Sequence, residues 1–316
     1  MAAGRYYIPF SKLCHLLWNR VRGVSENKDM IEAVLFEVRL PRIAAAALIG
    51  GALAVSGASY QGMFRNPVVS PDLLGASAGA GFGAALGLWL GFPVWVVQLL
   101  AFAMGLLAVF LTSMVSRLMA KYQENSVMLL VLSGIVISSL FQSFISLIKY
   151  VADPFDTLPS ISFWLMGGLT YVTSEDLLFL LIPILLGGIP LFLLRWKMNL
   201  LSLGDEEAES MGISTSRYRG GMILCSTLMT SACVSIGGMI GWAGLIVPHF
   251  ARMLVGPNYK KLLPCSFLVG SIFLLFVDDI ARCLFPQEIP IGILTSLAGV
   301  PIFIYLMTIR KGGGMT

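Results

Sequence analysis

Long runs without a single charged side chain most constrain what this chain can fold into. Such runs cover Ile43–Phe64, Leu73–Ser116, Asn125–Ile148, Leu177–Leu194, Gly220–Ala251, Leu262–Val277 and Ile289–Ile309. A membrane-crossing helix needs about 20 mostly apolar residues. Backbone polar groups in lipid must be paired internally, so these runs are expected as helices or as buried parts of a helical bundle. The alternation that marks a membrane β-barrel is absent. Only 12% of the 316 residues are charged and 57% are hydrophobic. A soluble fold usually carries about 25% charged residues, so lipid is the solvent that suits this chain.

The fold class is therefore an all-α polytopic membrane bundle. Spans are expected near 43–64, 72–91, 93–116, 126–148, 177–195, 220–240, 262–285 and 291–310. A short helix is expected at about 245–255, and a loop with a short helical piece at 153–170. That makes about nine helices. The transmembrane domain covers 43–310.

Basic residues mark the cytoplasmic side of a membrane protein. Arg65, then Arg117 and Lys121, then Arg195, Lys197, Arg217 and Arg219, then Lys260 and Lys261, then Arg310 and Lys311 fall on alternate connections. The opposite connections are nearly free of them. This pattern predicts a cytoplasmic C-terminus and an extracytoplasmic segment at residues 1–42. That segment nevertheless holds Arg5, Lys12, Arg20, Arg22, Lys28, Arg39 and Arg42, with no apolar run able to export it. The expectation drawn is that a preceding membrane helix is missing.

Catalytic and metal chemistry find little support. The five cysteines show no metal-ligand spacing, and there are only two histidines. No phosphate-cradling loop with its lysine occurs, so any ATP hydrolysis must lie on another polypeptide. Asp278 and Asp279 are adjacent and do not face one substrate. The net charge of +4 says little about nucleic acid, because the bases sit mainly at span ends.

Four stretches could carry mechanism. The segment 195–219 interrupts two apolar spans and holds Asp205, Glu206, Glu207 and Glu209 between Gly204 and Gly212. It reads as a short cytoplasmic helix, with acids complementing its N-terminal turn. Such a helix suits docking of a soluble partner. The segment 237–256 breaks a span with glycines and Pro248 and carries His249 and Arg252, read as structural or gating groups. Asp278 and Arg282 are four apart on one helix face and can pair. Ionisable groups inside a membrane are functional candidates by default. The small-residue segments 50–62 and 75–87 allow close helix packing.

Taken together, several motifs resemble the FecCD/BtuC family, the permease subunits of binding-protein-dependent ABC importers for iron–siderophores, haem and vitamin B12. They are RLPRIAAAALIGGALAVSGASYQGMFRNPVVSPDLLGASAGAGFG at 39–83, SFWLMGGL at 162–169, LSLGDEEAESMGI at 201–213, GMIGWAGLIVPHFAR at 238–252, VDDIAR at 277–282 and EIPIGILTSLAGVPIFIYLM at 288–307. The resemblance implies a homodimer with its path at the dimer interface, two cytoplasmic ATPase subunits that bind ATP and Mg, and one extracytoplasmic binding protein. It implies alternating access, and about ten helices per subunit where about nine are expected here.

Residue by residue, the coupling helix of the family maps onto Gly204, Asp205, Glu206, Glu207, Ala208 and Gly212. Binding-protein docking maps onto Arg39, Arg42 and Arg282. The path-lining helix maps onto 126–148, with Ser133, Gly134, Ser138 and Ser139 as candidates. The aromatic residues Phe141, Phe144 and Trp164 could touch a bulky cargo. The expected cargo is an iron chelate, haem or cobalamin, with molybdate or tungstate as an alternative within the family. An ion-gradient-driven secondary transporter is the alternative outside it, with Asp278 as its buried acid.

Overall fold

The computed structural model describes residues 9–22, 30–119, 126–284 and 287–312. Arg5, Lys28 and Lys121, used above for topology, lie outside the described residues. Among those residues the chain is helical throughout, with six helices long and apolar enough to cross a membrane.

Helix α1 covers Phe10–Val21. A continuous helix then runs over Met30–Met63. It comprises α2 (Met30–Ala33), a π-helical stretch at Val34–Arg39 and α3 (Leu40–Met63). The span expected to start at 43 therefore begins thirteen positions earlier. The charged residues Glu32, Glu37, Arg39 and Arg42 hid that start from a reading based on uncharged runs. Leu13 and Leu16 of α1 pack with Leu35, which holds α1 against this helix.

Helix α3 is the centre of the bundle, and most of its residues are buried. Its small residues explain how. An added Cβ on Gly50 would lie 2.2 Å from the Gly270 carbonyl oxygen, and one on Gly270 would lie 2.3 Å from the Gly50 oxygen. At Gly57 a Cβ would fall 1.7 Å from the carbonyl oxygen of Gly244. Backbone meets backbone at these crossings, a packing mode suited to lipid, where no hydrophobic drive brings helices together.

After α3 the chain turns back into the bundle through a 3-10 turn at Pro71–Leu74. Helices α4 (Ala76–Trp89) and α5 (Val94–Met119) form a hairpin. Trp89, Phe92 and Trp95 stay exposed around its tip, as interfacial aromatic side chains do. Helix α6 (Ser126–Val151) follows, then the short α7 (Thr157–Met166), which fits the helical piece expected inside 153–170.

Helix α8 (Ser174–Leu201) opens with a capping box between Thr173 and Asp176. It carries Pro183 and Pro190 internally. Neighbouring helices and local adjustments satisfy the backbone groups such prolines free. The short α9 (Asp205–Ser210) leads into α10 (Thr215–Gly237). Helix α11 (Ala243–Val255) fits the short helix expected near 245–255. Helices α12 (Tyr259–Cys283) and α13 (Ile291–Gly312) complete the chain.

Candidate functional site: a buried ion cluster, a polar helix face and a charged surface helix

The first feature ties the N-terminal end of α3 to the C-terminal end of α12. Arg42 donates from Nε and Nη2 to Asp278 Oδ1, at 2.9 and 2.8 Å. Its Nη1 donates to Glu288 Oε2 at 2.9 Å, and Thr170 Oγ1 donates to the same carboxylate oxygen at 2.7 Å. Arg282 pairs with Asp279, and its Nε lies 3.2 Å from Asp278 Oδ2. Asp278 is fully buried, and Arg39, Arg42 and Arg282 are between 5% and 8% exposed.

The Asp278–Arg282 pairing read from the sequence is therefore present, within a larger cluster. The three arginines named for docking do converge, but in the isolated chain they are turned inward. A buried arginine needs carboxylates to offset its desolvation, and Asp278, Asp279 and Glu288 supply them for Arg42 and Arg282. Thr170 and Glu288 were not singled out in the sequence. Nothing about a lone glutamate in a loop signals a partner 246 positions away.

The second feature is the exposed face of α6. Ser139, Gln142, Ser143 and Ser146 recur at helical spacing on it and are all exposed. A glutamine facing lipid would lose its hydrogen bonds to water without replacement. Ser139, Ser143 and Ser146 each donate to the carbonyl four residues back, at 2.9 Å. Their protons are thus spent on the helix, and their oxygen lone pairs point outward as acceptors.

Beside this face lies a depression lined by Ser70, Asp72, Leu73, Ile135, Ser138, Ser139 and Gln142. Asp72 accepts a hydrogen bond from Ser77 at the start of α4. Two of the four path candidates, Ser138 and Ser139, line this depression. The other two do not. Ser133 is 2% exposed, and a Cβ on Gly134 would meet the Leu73 carbonyl oxygen at 2.2 Å. The missing side chain of Gly134 lets α6 sit against the Pro71–Leu74 turn. Asp72 and Gln142 were missed, because Asp72 stands at the edge of an uncharged run and reads as part of a turn.

Of the aromatic candidates, Phe141 is buried and Phe144 is exposed. Both pack at a tilt against Phe82, at 5.6 and 5.4 Å between ring centroids. Trp164 packs against the small cluster around Ala80, Ala84 and Val97.

The third feature is α9. Ala208 is fully buried beneath it, while Glu206, Glu207 and Glu209 face out. Arg219 Nη2 donates to Asp205 Oδ1 at 2.8 Å, and Thr215 Oγ1 donates to Glu209 Oε1 at 2.7 Å. These bonds fasten α9 to the first turn of α10. Gly212 follows it with φ +79°, a left-handed turn that glycine takes without steric cost. The acids therefore stand on a short, well-anchored helix.

The remaining candidates pack. Pro248 is buried and His249 half-buried in α11. Arg252 hydrogen-bonds Tyr259 at the start of α12. Among the described residues, no group of three His, Cys, Asp or Glu could hold a metal ion.

Known proteins resemble this chain in sequence and fold. The FecCD transport family matches residues 1–309. The molybdate import system permease MolB of Haemophilus influenzae is 41% identical, covering 100% of this chain and 92% of that protein. The hemin transport permease HmuU of Yersinia pestis is 36% identical, covering 92% of this chain and 86% of its own length. A solved structure, an inward-facing transporter assigned to the metal-chelate ABC type, aligns with TM-score 0.82 at 40% identity. It covers 95% of this chain and 98% of the other. A second, PsaBC from Streptococcus pneumoniae in complex with Fab, aligns with TM-score 0.62 at 18% identity and shares the fold. It covers 87% of this chain and 93% of the other. Membership of this family sets aside the reading as an ion-gradient-driven carrier. The chain belongs to the FecCD transport family and is a membrane permease subunit of an ABC-type importer, whose ATP hydrolysis takes place on separate subunits.

Proposed function

We propose that this subunit pairs with a second copy of itself and passes a metal chelate, of the iron–siderophore, haem or cobalamin class, along the polar face of α6. The observation that carries the reading is that face: serine oxygens and Gln142 stand exposed on a helix otherwise made for lipid. Facing a second α6 across a water-filled path, they would regain the solvation that lipid denies. The homodimer works with two ATPase subunits that bind ATP and Mg, and with one extracytoplasmic binding protein.

Gly204 to Gly212 form the coupling helix, with Asp205 held by Arg219 and the outward acids meeting the ATPase. The C-terminus is cytoplasmic. On the opposite side, carboxylates of the binding protein compete with Asp278, Asp279 and Glu288 for Arg39, Arg42 and Arg282. Closing and opening of the ATPase pair switches the path between its two openings. Helix α1 lies outside this core, in the extracytoplasmic segment.

A path rich in acceptors, with the Asp72 carboxylate at its side, disfavours a bare oxyanion. That favours a chelate whose outer groups are neutral, cationic or hydrogen-bond donors. Molybdate is the second reading, because the molybdate permease resembles this chain over its whole length.

Cysteine accessibility tests the path. In vesicles holding the whole importer, cysteines at positions 139, 142, 143 and 146 should react with a charged, water-borne thiol reagent, and binding of the ATP analogue should change their rates. A cysteine at 133 should stay unreactive. Equal silence at all five positions would contradict a path along α6.

A further inference from the structure

The seam between the C-terminal end of α8 and the N-terminal end of α12 has the composition of a lipid site. Arg195 Nη1 reaches the backbone carbonyl of Lys260 at 3.4 Å. One turn on, Asn199 Nδ2 donates to Asn258 Oδ1 at 3.1 Å and Asn199 Oδ1 accepts from the Tyr259 N–H at 2.9 Å. The two helix ends are thus fixed together. Arg195, Lys260 and Lys261 gather at this junction.

None of the three forms an ion pair with any described carboxylate. Acids are close in sequence, on α9, yet Asp205 pairs with Arg219 instead. Lys197 also stands apart, its Nζ 4.0 Å above the ring of Tyr218. Two lysines in the first turn of α12, with no acid beside them, oppose the helix dipole. An anion from outside the chain would offset that cost.

The surface below the cations is apolar and exposed. Leu186, Ile189 and Leu193 form one stripe along α8, ending at exposed Trp196. Leu268, Ile272 and Phe276 form a matching stripe on α12, in line with Lys261. An indole and cations at the membrane edge over two hydrocarbon-facing stripes complement an amphiphile with a negative head.

We infer that the α8–α12 seam binds an anionic phospholipid of the cytoplasmic leaflet, with Arg195, Lys260 and Lys261 around its phosphate and its chains along the two stripes. This rests on the topology proposed above, which puts these ends on the cytoplasmic side. The seam lies where α8 leads into the coupling helix, so a bound lipid would brace the base of α9.

The test uses the full chain in nanodiscs of phosphatidylcholine with a minor share of phosphatidylglycerol, with retained lipid read by native mass spectrometry. It needs no transport, so it fails or succeeds independently of the cargo reading. The wild-type protein is expected to retain phosphatidylglycerol in preference to phosphatidylcholine. The double variant Arg195→Gln, Lys261→Gln should lose about twenty-five-fold of that preference, about fivefold for each cation. Arg117→Gln, a base in the last turn of α5, at the opposite end of that helix from its Gln98–Asp176 and Phe102–Phe179 contacts with α8, should keep it, and excess inorganic phosphate should not displace the lipid. Equal retention of the two lipids by the wild-type chain would overturn the site. So would an unchanged preference in the double variant, an equal loss in Arg117→Gln, or displacement by phosphate.

Discussion

Arg42 on α3 grips Asp278 on α12 through both Nε and Nη2, across 236 positions of sequence and with almost no exposure of either side chain. This contact joins the central helix to its most intimate neighbour. Glu288 extends it to the loop before α13, and Thr170 to the loop after α7. Four separate segments therefore meet in one hydrogen-bonded cluster.

Removing one partner leaves a buried charge without compensation. Asp278→Asn or Arg42→Met alone should destabilise the chain by about 3–5 kcal/mol. Replacing both with apolar residues of similar volume should recover much of that loss. Thermal unfolding in detergent, followed by size-exclusion profile, reads the difference. Additive losses in the double variant would contradict a direct pair.

The Gly50–Gly270 crossing gives a second prediction. Each glycine's missing Cβ is the other's backbone space, so Gly270→Leu must push α12 from α3. A cost of at least about 1–3 kcal/mol is expected from overpacking alone. The variant should show lower folded yield, whereas Leu268→Ala, on the lipid-facing stripe, should not.

Much of this organisation was legible in the sequence, for identifiable reasons. Apolar runs and glycine-rich stretches report directly on lipid and close packing, so α5, α6, α11 and the crossings of α3 followed. The acids between Gly204 and Gly212 stood out because so little else is charged. What was not legible depended on distant pairing. The long helix containing α3 starts among charged residues, and Arg42 is buried there beside carboxylates from the other end of the chain. Ser133 and Gly134 share a helix with Ser138 and Ser139. The Pro71–Leu74 turn covers Gly134, and a reading of the helix alone does not place that turn.

The acids of α9 are expected to set ATPase docking. Reversing Glu206 and Glu207 to lysine should weaken co-purification of the ATPase by about tenfold or more, since like charges opposed across an interface cost several kcal/mol. The fold should survive, because both side chains are exposed and the Asp205–Arg219 bond remains. Pull-down of the ATPase at low and moderate salt checks this, and a salt-insensitive result would argue against charge-based docking.

Asp72 is expected to influence which cargo passes. Asp72→Asn removes the negative charge beside the path while retaining an acceptor for Ser77. Uptake of an oxyanion such as molybdate should rise relative to a ferric chelate, by about fivefold if the charge costs the anion about 1 kcal/mol. A ratio that does not move would place Asp72 among the packing residues of the turn.

The most direct test of the central claim is uptake into vesicles reconstituted with this chain, its partner ATPase and its partner binding protein. Ferric siderophores, haem, cobalamin and molybdate would be offered in turn, with and without ATP on the ATPase side. The account expects ATP-dependent accumulation of one chelate, lost when the binding protein is omitted. Accumulation driven by a proton or sodium gradient, without the ATPase, would contradict it.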